Sequence, residues 1–349
     1  MAYATINDPS AYFQALLYTG NSSTQSVTFD GNSNLQPDWV WTKCRSNTSD
    51  NFVFDSTRGV HKRIFTNTTA AEVTNTNALT SFDSDGFSMG NVGGMNFSSQ
   101  TYVGWGWKAN GGTTSTNYNG TITSTVQADT TAGFSIISYT GNGTNGATIG
   151  HGLNETPQLF IPKCLSTTTN WEMYYFPTGG TKQYGYLNLT NAFATWSYTA
   201  PTSTTIGLSG SGDSNGNGRS MIGYAFHSVQ GYSKIGTYKG NGNADGPFVY
   251  TGFKPAWVMI KATATTGGAQ NWRIADYKRS TSGFNPVEKQ LEANSTIAED
   301  SGNDVDLLSN GFKVRSSTAQ WNASGVDILY MAFAQEPLVG TNNTAATAK

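Results

Sequence analysis

Catalysis needs titratable groups that converge, and this sequence offers few. Its three histidines are His61, His151 and His227. His61 lies in the basic run Arg58-Gly-Val-His-Lys-Arg63 and His151 between two glycines, and both read as loop histidines. No Gly-x-Ser-x-Gly elbow supports a Ser-His-Asp arrangement. Glycoside cleavage would need two carboxylates about 5–10 Å apart. The acids on offer are Asp83 and Asp85 beside a turn, and the segment holding Glu292, Glu299, Asp300, Asp304 and Asp306, which reads as a solvated face. Asp213-Ser-Asn-Gly-Asn-Gly218 matches the first half of a calcium loop, but the twelfth position, where a bidentate glutamate belongs, is Tyr224. Two cysteines, Cys44 and Cys164, each follow a matching lysine, which excludes a disulfide framework and a cysteine zinc site. The expectation is no catalytic residue, no cofactor and no metal. Sugar binding is the remaining chemistry. Trp196, Tyr198, Trp272 and Trp321 are the candidate glycan-stacking platforms, weighed against plain core packing.

The elements that would position such groups come from internal repetition. Tyr18-Thr-Gly-Asn21 recurs as Tyr139-Thr-Gly-Asn142 and Tyr238-Lys-Gly-Asn241. Pro37-Asp-Trp-Val-Trp-Thr-Lys43 follows the first, and Pro157-Gln-Leu-Phe-Ile-Pro-Lys163 and Pro255-Ala-Trp-Val-Met-Ile-Lys261 follow the others. An Asn-aromatic pair comes third, at Asn51-Phe52, Asn170-Trp171 and Asn271-Trp272. A closing strand comes last, at Tyr102 to Trp107, Met221 to Phe226 and Ile328 to Phe333. The chain therefore divides into an N-terminal segment 1–11, repeat one 12–110, a Gly/Thr-rich linker 111–131, repeat two 132–229, repeat three 230–336 and a polar tail 337–349. Such a tail frays unless neighbouring chains pin it.

Each unit reads as β structure. The closing strands alternate large residues (Val103, Trp105, Trp107) with small ones (Gly104, Gly106), the period of a pleated strand. The large face should fill a core, and the small face should let another backbone come close. The post-proline strands are apolar on both faces and should be central. Pro162 should bulge its strand or end it early. Asp85-Gly86 and Asn310-Gly311 suit tight hairpins, and Thr69-Ala-Ala-Glu72 and Thr296-Ile-Ala-Glu299 fit capping boxes that open a short helical turn. The fold expected is all-β: three tandem antiparallel β-sandwich or jelly-roll-like repeats with short helical turns.

Composition narrows the function classes. Net charge is −2 and charged residues are 12%, so no positive field exists to hold a phosphate backbone, and nucleic-acid binding is disfavoured. No apolar run is long enough to span a bilayer, and the first residues lack a signal-peptide pattern.

The string Tyr-Thr-Gly-Asn, Pro-x-Trp-Val-x-x-Lys, Asp-Gly-Phe and then Tyr102-Val-Gly-Trp-Gly-Trp107 resembles a repeat of virion structural proteins from marine bacteriophages, especially cyanophages. The resemblance implies a particle protein without an enzymatic site, a tail fibre or tail-associated appendage contacting the host surface. It implies assembly in the host cytoplasm, residence on the tail or particle surface, other virion proteins as partners and a homo-oligomer, a trimer for a fibre. A host cell-surface glycan is the expected external ligand. Two alternatives stand beside it: a particle-surface decoration or tail-adaptor protein without a receptor role, and a carbohydrate-active enzyme.

Overall fold

The computed structural model describes residues 4–264, 270–280 and 282–339. Those residues form an all-β, antiparallel architecture in which the same five-strand pattern appears three times. Each unit has an opening strand (Phe13–Thr19, Phe134–Thr140, Ser233–Lys239) and a closing strand (Thr101–Trp107, Ser220–Phe226, Asp327–Pro337). Between them come a post-proline strand (Trp39–Cys44, Leu159–Cys164, Phe253–Ala262), a third strand (Asn51–Asp55, Glu172–Tyr175, Arg273–Asp276) and a fourth (Lys62–Phe65, Gln183–Tyr186, Val287–Glu292). The spatial order is opening, closing, post-proline, third, fourth in all three.

A second layer completes each sandwich. In unit one it is a separate sheet of Gln25–Val27, Gly86–Met89 and Leu79–Asp83, and in unit two the pair Thr148–Gly150 and Thr205–Gly207. In unit three the main sheet curls on through Asp300–Leu308, Gly311–Val314 and Phe248–Tyr250 into a nearly closed barrel. Both expected hairpins form, with Asp83 paired to Gly86 and Leu308 to Gly311. Glycine is needed at both, because an added Cβ would lie 2.0 Å from the Val27 carbonyl oxygen at Gly86 and 2.1 Å from that of Val249 at Gly311.

The post-proline strands are buried along their whole length, as strands covered on two sides must be. One face points into the unit's own sandwich, where the Val40, Phe160 and Val258 positions lie in three separate cores. The other faces a fourth core shared by all three units. There Trp39 pairs with Trp107, Leu159 with Phe226 and Trp257 with Phe333. One step along the strands, Trp41 pairs with Trp105, Ile161 with Tyr224 and Met259 with Met331. Burying each such side chain is worth about 1.5–3 kcal/mol, so this interior binds the units into one body. All nine tryptophans are buried.

Several expectations need correction. The small face of the closing strand admits aromatic rings rather than a backbone: a Cβ on Gly106 would lie 2.5 Å from the Phe29 ring, and one on Gly223 2.3 Å from the Phe160 ring. The strand through Pro162 continues unbroken to Cys164, with Pro162 opposite Gly223, and the irregular register falls instead at Lys254, Pro255 and Trp257. The stretch 111–131 is more than a linker. It contributes Ser115–Asn117 and Ser124–Asp129, which extend the second sheet beyond its opening strand. The tail beyond Val339 lies outside the described residues.

Candidate functional site

The Tyr-x-Gly-Asn marker builds the same clasp at the tip of every unit. The tyrosine hydroxyl donates across the tip to a carbonyl: Tyr18 to Met95 (2.9 Å), Tyr139 to Ser214 (2.5 Å) and Tyr238 to Trp321 (2.6 Å). Burial pushes all three phenols well above 10. The glycine lets the facing chain approach, since a Cβ on Gly20, Gly141 or Gly240 would lie 2.2, 2.4 or 2.1 Å from a carbonyl oxygen. The marker asparagine's backbone N–H donates to a buried partner: Asn21 to Asn96 (2.9 Å), Asn142 to Asn215 (2.9 Å), Asn241 to Asn322 (2.7 Å). Each partner returns a bond from its Nδ2. Sequence reasoning misses Asn96 and Asn322 and takes Asn215 only as part of the calcium-like string, although each stands five residues before the start of its closing strand. They end the α-helical turns Gly212–Asn215 and Ala319–Asn322 and the corresponding turn before Asn96.

The expected capping boxes are not helical. Thr69 to Glu72 and Thr296 to Glu299 are extended straps that cross to the next unit. The local box loses because the threonine carbonyl has a stronger claim on it, a buried lysine of the neighbouring unit. Lys163 Nζ donates to Thr69 O (3.0 Å) and to Thr169 O (2.6 Å) in its own unit. Lys43 does the same to Thr296 O (3.0 Å) and Ser49 O (2.6 Å), and Lys261 to Thr190 O (3.0 Å) and the Gln270 carbonyl. Desolvation lowers all three ammonium pKa values to about 8. At the far end of each strap a backbone N–H is taken up as well: Glu72 N by Leu165 O, Phe193 N by Thr263 O and Glu299 N by Arg45 O. Unit two thus leans on one, three on two and one on three. The ring closes.

A third set of bonds repeats around the ring and corrects the Asn-aromatic alignment. The indole of Trp171 donates to Phe65 O (2.8 Å), that of Trp272 to Tyr186 O (2.9 Å), and the Asn51 amide to Glu292 O (3.2 Å). Asn51, and not Phe52, is therefore the counterpart of the two tryptophans. Trp41 fills the remaining space and donates to Asn51 (3.3 Å).

Two seams also carry buried charge. Arg58 pairs with Asp55 and Glu72, and Arg279 with Asp276 and Glu299. Across the seams, the Tyr224 hydroxyl donates to Asp55 (2.7 Å) and the Trp105 indole to Asp276 (3.0 Å).

The four glycan-stacking candidates are not brought together on a surface. Trp272 and Trp321 are 1% exposed, their indoles committed to Tyr186 O and to Gln290 Oε1 (2.9 Å). Trp196 is buried among Tyr174, Phe176 and Tyr184, and half-buried Tyr198 packs edge-on against it. Core packing accounts for them. His151 is fully buried between Thr202 O and Leu153 N, and burial lowers its pKa to about 4. In the calcium-like string, Asp213 accepts from Asn170 N (2.8 Å), and among the described residues no cluster of three His, Cys, Asp or Glu could hold a metal. The buried Glu172 accepts from the Tyr174 hydroxyl (2.5 Å) and Ser211 (3.0 Å), and burial pushes its carboxyl up.

Against known proteins, a family model described as Domain of unknown function (DUF7483) matches residues 8–337. No curated protein and no solved structure matches.

Proposed function

The chain belongs to the DUF7483 family, and we propose that it is a bacteriophage virion structural protein, a tail fibre or tail-associated appendage that contacts the host surface. One observation carries the reading. Every repeated marker residue is spent on rigidity, in tip clasps, seam locks and a shared aromatic core, so the repeats build a pseudo-threefold body. The chain's entry, exit and both connectors lie at one end of the unit strands, and the clasped tips at the other. That arrangement suits attachment at one end and display at the other. The resemblance of the markers to virion repeats of marine phages supports the same assignment, with residence on the tail or particle surface and other virion proteins as partners.

Imaging of whole particles labelled with an antibody to this chain tests it. Label on the tail, with adsorption blocked by the antibody, is the expected outcome. A chain missing from purified particles would overturn the reading, and particles that fail to assemble without it yet adsorb normally when labelled would favour the decoration or adaptor role.

A further inference from the structure

Deamidation of an asparagine begins when the backbone nitrogen of the next residue attacks the side-chain amide, and a following glycine, having no side chain, obstructs that approach least. The sequence holds eight Asn-Gly pairs. The fold protects nearly all of them by committing the glycine N–H to a hydrogen bond. Gly111 N donates to Asp38 (2.8 Å), Gly143 N to Asn215 O (2.8 Å) and Gly146 N to Leu208 O (2.9 Å). Gly218 N donates to Gly141 O (2.8 Å), Gly242 N to Asn322 O (2.9 Å), and Gly311 is paired with Leu308 across its hairpin. Before Gly216 the asparagine itself is locked. Asn215 is fully buried, with its Nδ2 donating to Asn142 Oδ1 (3.1 Å) and Thr144 O (2.9 Å).

Asn119-Gly120 is the exception. It lies in the connection between Ser115–Asn117 and Ser124–Asp129. Asn119 is exposed, and among the described residues neither its side-chain amide nor the Gly120 N–H makes a hydrogen bond. The Asn119 backbone N–H donates to Asn117 Oδ1 (2.9 Å), which fixes the turn and leaves the Asn119 side chain free. Just past it the chain is pinned to the second layer of unit two. Thr121 N donates to Thr148 Oγ1 (3.0 Å), Thr148 N to Thr121 Oγ1 (2.9 Å) and Ile122 N to Thr148 O (2.9 Å). Gly120 is seated so closely there that an added Cβ would lie 2.4 Å from Thr148 O.

We propose that Asn119 is a self-modification site, the Asn-Gly pair that deamidates in the folded chain. The Gly120 nitrogen, its proton taken by hydroxide, bonds to Asn119 Cγ; the bond from Cγ to the side-chain nitrogen breaks, and ammonia leaves. Water then opens the cyclic imide at either carbonyl, giving aspartate or isoaspartate. Both products place a carboxylate in a stretch, Ala109 to Ala128, that holds no charged residue. Isoaspartate also adds a backbone carbon ahead of the Gly120 seat, which loosens the Thr121 and Ile122 bonds to Thr148. The test incubates the full chain at mildly alkaline pH, folded and in urea, and follows the amide-to-acid mass gain and the isoaspartate content at each Asn-Gly pair. In urea, where no fold protects them, the pairs should convert at similar rates. In the folded chain Asn119 should convert at least about tenfold faster than any other, because the others must first open. Asn119→Gln, a change at an exposed and unbonded side chain, should remove the fast phase at unchanged Tm. Amide exchange at Thr121 and Ile122 should be faster in the aged chain than in the fresh one. Another pair converting as fast as Asn119 in the folded chain, or Asn119 converting in urea alone, would overturn the site. Unchanged exchange at Thr121 and Ile122 in chains that carry isoaspartate would overturn the loosening.

Discussion

The seam of unit one on unit three and the seam of unit three on unit two use the same backbone locks and opposite side chains. In the first, Trp105 reaches Asp276, and Asp276, Arg279 and Glu299 form a network with both Arg279 and Asp276 fully buried. In the second, Met331 stands where Trp105 does, Tyr175 replaces the aspartate, Thr178 the arginine and Phe193 the glutamate, whose ring lies 6.0 Å from that of Trp272. The lysine bridge and the strap N–H persist in both, and the third bond comes from the Asn51 amide in the first and from the Trp272 indole in the second. The difference teaches that the backbone locks define the ring, and that a buried ion network can be exchanged there for apolar contact. This fits the near-balance between desolvation and attraction in buried ion pairs.

The sharpest break of that comparison is Arg279→Leu. It leaves the buried Asp276 carboxylate without its cation, while Glu299 keeps its two bonds to Arg45 (2.9 and 3.0 Å), and should cost about 3–5 kcal/mol in chemical denaturation. The concerted swap Trp105→Met, Asp276→Tyr, Arg279→Thr, Glu299→Phe with Arg45→Thr copies the apolar seam and should cost less than half as much; an equal or larger loss would show that the two seams are not interchangeable. Next in size is the shared element. Lys261→Met leaves the Thr190 and Gln270 carbonyls without their donor, at about 1–3 kcal/mol for each orphaned group, and Lys43→Met and Lys163→Met should match it within error. A much smaller loss at one seam would mean that its lock is redundant. Smaller again, Asn96→Ala, Asn215→Ala and Asn322→Ala should each lose about 1–2 kcal/mol, read as faster amide exchange confined to the mutated tip.

A separate expected effect is with pH. The seam lysines titrate near 8 in the folded chain and near 10.5 unfolded, so between those values the unfolded state holds more protons and stability rises with pH. Tyr18, Tyr139 and Tyr238 are shifted the other way, so above about 10 the unfolded state loses protons first and stability falls. Denaturation midpoints should peak near pH 10, and the triple Lys→Met variant should lose the rising limb. A wild-type midpoint that falls steadily from pH 8 would contradict charged lysines buried at the seams.

Much of the fold was legible because repetition exposes positions under a common constraint. The post-proline and closing strands, their faces and both hairpins follow from alternation and turn chemistry. What failed was local inference at places governed by another unit. Thr69 and Glu72 satisfy a helix-start pattern perfectly well, yet Lys163 and Leu165 lie in the next repeat and claim their backbone. The Asn-aromatic pair slipped by one residue because Asn51 resembles Asn170 by type, while spacing tells otherwise: both Asn51 and Trp171 stand eight residues after their lysine. The aromatic platforms failed for a simpler reason. A chain with nine tryptophans and four cores to fill has interior use for all of them.

Ring closure within a single polypeptide has a consequence that three separate subunits could not have. The partners for each seam are tethered, so docking is independent of protein concentration and the effective local concentration is set by the connectors. A substitution also enters one third of the body rather than all three. Phe97 illustrates this: it is 54% exposed at one tip, where the other two tips carry Gly216 and Ala323. Tethering lets three matched sites drift into three different surfaces without the frame that holds them having to change.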